Sequence, residues 1–214
     1  MEQAADAGLV AFGFTNTHGA GVLVAPYGGC ERRLSANPLV AGFPIPGGTN
    51  LVMDMSTSTI AEGKIKVARG RGDSLPEGMI VNGEGESTTS PEEYYADPPG
   101  ALLPFGGHKG FALSLCCEAL AGAMTGAGCS KAGVERIANG FMVFLLDPAA
   151  FSGTDFVGSE LAKLATWVKS SRLQDGFDSI QLPGEPEARC RSIRSEGVEI
   201  DETTWQKICG IAQD

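Results

Sequence analysis

The spacing of apolar and polar positions predicts helices and strands in mixed order along the chain. Residues 2–8 have the composition of a short helix ending in Gly8, and the run LVAFGFTN that follows is strand-like. Because a helix of two turns or less is marginal by itself, Met1 is predicted to lie inside an element. LVMDM at 51–55 predicts a buried strand. GFMVFLLDP at 140–148 is apolar throughout, which is typical of a central strand with both faces covered.

Helical spacing recurs in the rest of the chain. IAEGKIKVAR at 60–69 and GSELAKLATWVKSS at 158–171 each predict a helix, and the tail predicts a last helix capped by Asp201 or Thr203. Residues 70–99 are polar without clear periodicity and predict a surface loop. Since no repeat or linker interrupts this pattern, we expect an α/β (mixed) fold in a single domain over residues 1–214.

A long apolar segment, FALSLCCEALAGAMTGAG at 111–128, predicts a buried helix with an unusual entrance. Its predicted apolar face has i, i+3, i+4 spacing and consists of Ala112, Leu115, Cys116, Ala119, Leu120 and Ala123. LPFGGHKG stands directly before it. Glycines let a backbone approach a ligand closely, free N–H groups at a helix N-terminus favour an anion, and Lys109 adds a full charge. The alternative is a tight loop with a solvated lysine.

Composition narrows the class of protein. The chain is 43% hydrophobic and 20% charged, which is typical of globular proteins, and its formal charge of −10 argues against non-specific binding to nucleic acid. No uninterrupted apolar run reaches the roughly 18 residues that a membrane span needs, and the N-terminus lacks the pattern of a signal peptide. We therefore expect a cytoplasmic enzyme or binding protein with no membrane or nucleic-acid partner.

The six cysteines do not predict a metal site. None forms a C-x-x-C pair, and His18 and His108 are the only histidines in the sequence. The cysteines are interpreted as small core hydrophobes in a reducing compartment.

Searches for familiar catalytic and nucleotide-binding motifs fail. The chain completes no G-x-G-x-x-G, P-loop, G-x-S-x-G or H-E-x-x-H pattern. Two short segments remain beside GGHKG. DMSTS, at 54–58, runs from a strand into three hydroxyl residues that can bind a ribose or phosphate, or can cap the next helix. LPGEPE, at 182–187, holds a carboxylate pair that can bind a hydroxyl group, or is simply exposed.

Taken together, these segments match a known family in order and spacing. The chain resembles the malate/L-lactate dehydrogenase family of NAD(P)-dependent oxidoreductases, which also contains ureidoglycolate, sulfolactate and diketogulonate enzymes and the piperideine and pyrroline carboxylate reductases. The resemblance spans nearly the whole chain. The segments that carry it are GLVAFGFTNT, APYGGCERRLSANPLVAGFP, VMDMSTSTIAEGKIKVARGRGDSLPEGM, LLPFGGHKGFALSLCCEALAGAMTGAG and LPGEPE.

The resemblance implies a non-Rossmann, sulfolactate/malate dehydrogenase-like fold that binds NAD or NADP in an extended groove. It implies a homodimer, and it places Asn16 and Asn37 in loops near the site. Lys109 is the expected direct phosphate contact. The residues implied to bind the cofactor are Met53, Asp54, Met55, Ser56, Thr57, Ser58, His108, Lys109, Gly184 and Glu185.

The chain also departs from the family pattern. Family members carry a long N-terminal part with S-H-G and N-H-F/W motifs, whose histidines are the proposed proton donors and substrate-positioning groups. This chain starts after the second motif, so we expect an NAD(P)-binding domain that lacks the family's N-terminal portion. Hydride transfer needs an acid, and neither His18 nor His108 matches those positions. Asp54 is left as an orienting carboxylate.

Three functional hypotheses follow. The first is an oxidoreductase that transfers a hydride between NAD(P)H and a small 2-oxo or 2-hydroxy acid, or a cyclic imine carboxylate. The second is a catalytically inactive truncated remnant that binds nucleotide or serves as an interaction partner. The third, resting on GGHKG and DMSTS alone, is a phosphate-binding protein without redox chemistry.

Overall fold

The structure, a computed structural model, describes residues 1–200 and 202–212, except for the side chain of Thr203. Helices and strands mix along the described chain, as the sequence predicts. The strands are β1 (Val10–His18), β2 (Leu39–Phe43), β3 (Leu51–Met55), β4 (Ile80–Val81), β5 (Ser87–Thr88), β6 (Ala101–Leu102) and β7 (Ala138–Leu146). The α-helices are α1 (Glu2–Asp6), α2 (Glu62–Arg71), α3 (Pro91–Tyr94), α4 (His108–Cys117), α5 (Thr154–Lys169), α6 (Glu185–Arg194) and α7 (Glu202–Ile211).

The strands form two antiparallel sheets, one of four strands in the order β3-β2-β1-β7 and one of three in the order β5-β4-β6. A dinucleotide fold of the Rossmann type needs a parallel sheet with crossover helices. The antiparallel pairing therefore agrees with the non-Rossmann fold that the resemblance implies.

The two faces of the large sheet carry different helices. On one face α1 approaches closely, since a Cβ built at Gly42 would lie 2.8 Å from the carbonyl oxygen of Met1. On the other face lies a π-helical segment, Glu118–Ala123, which continues α4. A Cβ at Gly140 would lie 1.8 Å from the carbonyl oxygen of Ala121, so only glycine permits this contact.

The main apolar core lies beneath the small sheet. It joins β4 and β6 to α2, and the ring of Tyr94 in α3 is fully buried within it. The buried members are Val24, Leu34, Ile65, Ala68, Leu75, Ile80, Tyr94 and Leu102. The prediction of a surface loop over 70–99 is therefore wrong. β4, β5 and α3 are too short for periodicity to show them.

The structure reverses the predicted face of the α4 segment. Leu115 and Cys116 are exposed, whereas Ser114 and Glu118 are buried. The buried face is polar because it hydrogen-bonds to side chains of β1 and of the loop before β2. That bonding outweighs the apolar spacing on the other side of the helix.

Strand β7 is also placed differently from the prediction. In the described part of the chain it is an edge strand paired only with β1, not a central strand covered on both faces. Phe141 and Leu145 are more than half exposed on one face of the sheet. Phe144, on the opposite face, is 44% exposed. β3 is likewise an edge strand and only half-buried.

Other predictions had mixed outcomes. The first helix, with Gly8 at a positive φ of 79°, and the strand at 51–55 are confirmed, while α6, which begins at Glu185 inside LPGEPE, was missed. The core interpretation of the cysteines is wrong for most of them. Only Cys117 is buried, and Cys30, Cys116, Cys129 and Cys190 are exposed. The predicted last helix is confirmed as α7. Its predicted caps, Asp201 and the side chain of Thr203, lie outside the described residues.

Candidate functional site

The end of β3 and the start of α4 meet, so two of the three predicted segments come together. The Phe105 N–H donates to the carbonyl oxygen of Thr57 at 3.0 Å, and Ser58 bridges to Pro104. Gly110 fits against this junction. A Cβ there would lie 2.5 Å from the carbonyl oxygen of Phe105 and 2.7 Å from that of Thr57. DMSTS and GGHKG are thus in direct contact through their backbones.

The GGHKG loop reaches its helix through two glycines in left-handed conformations. Gly106 has φ 56° and Gly107, which precedes the first residue of α4, has φ 63°. Residues with a side chain rarely adopt such backbone φ angles, so the sequence needs glycine at both positions. No side chain caps α4. The N–H groups of Lys109 and Gly110 donate to the carbonyl oxygens of Gly106 and Phe105, whereas the His108 N–H has no acceptor among the described residues and is available to an anion.

A cleft of about 380 Å³ opens beside this loop. The ring of Tyr27 stands edge-on to that of His108, with centroids 5.9 Å apart, and both side chains are exposed. A Cβ at Gly107 would lie 3.1 Å from Cε2 of Tyr27, so glycine keeps the cleft open. The cleft is lined by Pro26, Tyr27, Gly28, Gly29, Thr59, Gly78, Leu103, Pro104, Gly106 and Gly107.

Lys109 supplies the positive charge at this cleft. Its side chain is exposed and makes no ion pair or hydrogen bond with any residue that the structure describes. The side chain passes over Gly106, since a Cβ at Gly106 would lie 3.7 Å from the Cβ and Cδ of Lys109. A cation beside an uncapped helix start is suited to a phosphate or carboxylate.

The three hydroxyls of DMSTS bond mainly to the chain itself. Thr57 is fully buried and donates to the carbonyl oxygen of Ala36 at 2.9 Å, so it offers no free hydroxyl to a ligand. Ser58 is buried, and its hydroxyl donates its one proton either to the carbonyl oxygen of Ile60 at 2.9 Å or to Ser56 Oγ at 3.1 Å. The alternative that these hydroxyls cap the next helix is wrong, because the N-cap of α2 is Ala61, without a side-chain cap.

The remaining β3 residues divide between the two faces of the sheet. Met53 and Met55 pair with Ala41 and Leu39 and share the face that carries the π-helical segment. Asp54 pairs with Val40 on the opposite face. Its carboxylate is exposed, with no hydrogen bond or ion pair to the described residues.

The PGE segment lies at the opposite end of β3 from GGHKG. The carbonyl oxygen of Pro183 accepts from the Val52 N–H at 3.0 Å, and Gly184 has φ 98° at the start of α6. The carboxylate of Glu185 pairs with Lys169 and accepts from the Leu182 N–H at 2.9 Å. The Lys169 ammonium and this N–H hold the pKa of Glu185 below its usual value. The prediction that Glu185 binds a hydroxyl must therefore compete with these bonds.

Asn16 and Asn37 are fully buried, and Asn16 lies in β1 rather than in a loop. Both donate to Glu118, a buried carboxylate that the sequence analysis did not select. Tyr27 and Thr59 were also not selected. The Tyr-Gly-Gly turn at 27–29 is the signal for Tyr27, since paired glycines beside an aromatic residue resemble the paired glycines of GGHKG.

The histidines differ in their surroundings. His18 is nine-tenths buried, and its Nε2 lies 3.0 Å from the carbonyl oxygen of Ala127, while His108 faces the cleft. Within residues 1–200 and 202–212, no three His, Cys, Asp or Glu side chains cluster as metal ligands would. No helix of the described chain has the length and apolarity to cross a bilayer.

Comparison with known proteins shows which family the chain is similar to. The family model of malate/L-lactate dehydrogenase matches residues 1–209. L-lactate dehydrogenase of Cupriavidus necator is 38% identical over 99% of this chain and 62% of its own length. Delta(1)-pyrroline-2-carboxylate reductase of Ancylobacter novellus is 37% identical over 94% of this chain and 58% of its own length.

A solved structure gives the same result for the fold. Sulfolactate dehydrogenase of Methanocaldococcus jannaschii superposes with a TM-score of 0.81 at 31% identity, over 98% of this chain and 61% of the other. The chain therefore spans about 60% of the length of the relatives that it matches. On the family model, the related sequences and the shared fold, this chain belongs to the malate/L-lactate dehydrogenase family.

Proposed function

We propose that the protein is an oxidoreductase that transfers a hydride between NAD(P)H and a small 2-oxo or 2-hydroxy acid, or a cyclic imine carboxylate. The observation that carries the proposal is the junction of DMSTS with GGHKG, where an uncapped helix start and the unpaired Lys109 directly follow Gly106 and Gly107, two residues that line one cleft. Relatives named for lactate, sulfolactate and pyrroline-2-carboxylate support the substrate classes.

The residues present fit part of a dinucleotide. The cleft of about 380 Å³ lies within the size range of ligand pockets, roughly 300–1,000 Å³, though at its lower end. Gly106 and Gly107 allow a phosphate to approach the backbone, the His108 N–H at the start of α4 has no acceptor among the described residues, and Lys109 supplies the charge. Tyr27 and His108 present ring edges and faces that can pack against a planar group.

When bound, the reduced nicotinamide supplies a hydride to the carbonyl or imine carbon of the substrate. This chain's part is to hold the phosphates at Lys109 and the α4 start, and to position the dinucleotide along β3 toward Gly184. Reduction also needs an acid to protonate the developing oxyanion or amine. We assign that acid neither to His18, which is buried against Ala127, nor to Asp54, which is unpartnered and suited to orienting a donor.

The alternative is an inactive remnant that binds nucleotide without turnover, and the relatives named as a dehydrogenase and a reductase support the first candidate over it. The two functions predict the same affinity for NADH or NADPH, but only the first predicts nucleotide oxidation. Incubating the protein with NADH or NADPH and a panel of 2-oxo acids and cyclic imine carboxylates separates them. Oxidation of the nucleotide, followed as loss of absorbance at 340 nm, supports the first candidate. Binding without oxidation supports the second.

The test of the binding site is Lys109→Ala, with Lys207→Ala in α7 as a charge-matched control. Since a hydrogen bond to a charged group contributes more than a neutral one, Lys109→Ala should weaken NADH or NADPH binding about 10- to 100-fold. Lys207→Ala should leave it unchanged. Equal affinities for both variants would contradict the site. Equal competition by inorganic phosphate and dinucleotide would favour a phosphate-binding protein.

We also propose a cytoplasmic homodimer, as the family resemblance implies. Large apolar side chains are exposed in several elements, and such surface is typical of interaction sites. Those on β7 and α5 are Phe141, Val143, Phe144, Leu145, Leu146, Phe156, Leu164, Trp167 and Val168. Light scattering coupled to gel filtration should give twice 22.2 kDa for the chain, and a monomer would contradict the dimer.

A further inference from the structure

A buried carboxylate lies behind the proposed nucleotide site. Glu118 is 6% exposed at the start of the π-helical segment and accepts four hydrogen bonds. Oε1 accepts from Asn37 Nδ2 at 2.9 Å and from Ser130 Oγ at 2.8 Å. Oε2 accepts from Asn16 Nδ2 at 3.2 Å and from the Ser130 N–H at 2.9 Å. All four groups donate, so they match an acceptor-only carboxylate, and no cation pairs with it among the described residues.

One of these donors connects the carboxylate to helix α4 and to a strained loop. Asn37 also donates to Ser114 Oγ at 2.9 Å, and its own Oδ1 accepts from the Thr17 N–H at 3.2 Å. It is the one non-glycine residue with positive φ, at 33°, in the described chain. Such a conformation persists only where surrounding contacts fix it, and here Glu118 and Ser114 supply those contacts.

Fixing Asn37 also fixes the DMSTS segment. The carbonyl oxygen of Ala36, one residue earlier, accepts from the Thr57 N–H at 2.7 Å and from Thr57 Oγ1 at 2.9 Å. The carbonyl oxygen of Thr57 in turn receives the Phe105 N–H at the GGHKG junction. A continuous series of bonds therefore runs from Glu118 through Asn37, Ala36 and Thr57 to the loop that carries Lys109.

We infer that Glu118 is a positioning residue for nucleotide binding, which fixes DMSTS and the start of α4 in the relation that the site needs. The inference rests on the proposed function for its ligand, NADH or NADPH. Glu118 itself is buried and touches no ligand. The π-helical turn that begins at Glu118 agrees with this role, since π-helical turns are frequent at functional sites.

The competing explanation is that Glu118 only stabilises the fold, and a matched pair of serine variants separates the two. Ser114→Ala removes the acceptor that ties Asn37 to α4. Ser130→Ala removes a donor to the same carboxylate oxygen, but it leaves the bonds of Asn37 to Glu118 and to Ser114 in place. Each variant loses one side-chain hydroxyl, so both should lower the melting temperature by similar amounts. Only Ser114→Ala loosens the series of bonds to Lys109.

The experiment measures NADH and NADPH affinity together with hydrogen exchange of the nucleotide-free protein, for the full chain and its variants. We expect Ser114→Ala and Glu118→Gln to weaken binding about tenfold, and Ser130→Ala to weaken it less than twofold. Exchange at Thr57 and at residues 105–110 should rise in Ser114→Ala and not in Ser130→Ala. If Glu118→Gln fails to fold, the serine pair still decides.

The outcomes distinguish the inference from the proposed function. Equal losses of affinity in the two serine variants, in proportion to their stability, would overturn the positioning role. A wild-type chain that binds neither nucleotide would overturn the proposed function. In that case the exchange difference at Thr57 and 105–110 still tests whether Glu118 and Ser114 fix that junction, and its absence would overturn the inference as well.

Discussion

Substituting Gly110 tests whether DMSTS and GGHKG form one site. In Gly110→Ala the new Cβ would lie 2.5 Å from the carbonyl oxygen of Phe105, 2.7 Å from that of Thr57 and 2.8 Å from the Phe105 nitrogen. Each distance falls well short of an ordinary contact, which begins at 3.4 Å. The opposing atoms are all backbone, so they cannot rotate away. The junction must open by several tenths of an ångström or more.

The magnitude follows from three effects. Overpacking of this kind costs about 1–3 kcal/mol, and the Phe105–Thr57 hydrogen bond contributes about 1 kcal/mol more if it breaks. Alanine in place of glycine within a helix returns roughly 0.5–1 kcal/mol. The free energy of unfolding should therefore fall by about 1–3.5 kcal/mol, which for a chain of this size lowers Tm by about 2–14 °C.

The control is Gly63→Ala in α2, where a Cβ would meet nothing within 4 Å. That variant should keep or slightly raise Tm, because it gains helix propensity without a clash. Thermal unfolding by circular dichroism and titration with NADH or NADPH measure both proteins. We expect Gly110→Ala to lose about tenfold in affinity as the helix start moves. An unchanged Tm would refute the close junction, and a lowered Tm with unchanged affinity would place the nucleotide elsewhere.

Two further predictions concern titrating groups. Burial raises the pKa of Cys117 to about 11, whereas Cys30, Cys116, Cys129 and Cys190 are exposed. Cys117 should therefore hold roughly 100-fold less thiolate near neutral pH than a thiol with the usual pKa, and it should be alkylated last. Mass spectrometry of partly labelled protein measures the order of labelling. Early labelling of Cys117 would contradict its burial. The pKa of the Glu185 carboxyl is lowered by Lys169 and by the Leu182 N–H. The ionised carboxylate therefore stabilises the fold above about pH 4.3, the usual pKa of a glutamate. This stabilisation is lost as the pH falls through the lower pKa of the folded state. Glu185→Gln should then reduce stability at pH 7 by about 0.2–1 kcal/mol, as expected for a partly exposed pair, and the difference in Tm from wild type should shrink at pH 3. A difference that persists or grows in acid would contradict this account.

The parts of the fold that sequence reasoning predicted are those with strong local signals. The strand at 51–55 and the first helix with its Gly8 terminus follow from composition and turn chemistry within a few residues. The resemblance implied that DMSTS and GGHKG both bind the cofactor, whereas spacing did not, and their direct contact is visible only in the structure. α6 had a local signal as well, since Gly184 precedes an acidic first turn with a proline, which is typical of a helix start.

The parts that could not be predicted depend on distant partners. An apolar run such as β7 has the same sequence pattern in a central strand and in an exposed edge strand, because periodicity does not show what covers the strand. The apolar face of α4 is the exposed one because Glu118 and Ser114 bond to Asn16 and Asn37, each at least 77 residues away in sequence. Long-range polar bonding of this kind leaves no mark in local spacing.

The most direct test of the proposed site is hydrogen–deuterium exchange of the chain with and without saturating NADH or NADPH. The account predicts slower exchange at the first amides of α4, from His108 to Gly110, and at Thr59 beside the cleft. It also predicts protection near Gly184 at the far end of β3, and none in α7. Protection confined to other elements, or no protection despite measured binding, would contradict a nucleotide site at the junction of DMSTS and GGHKG.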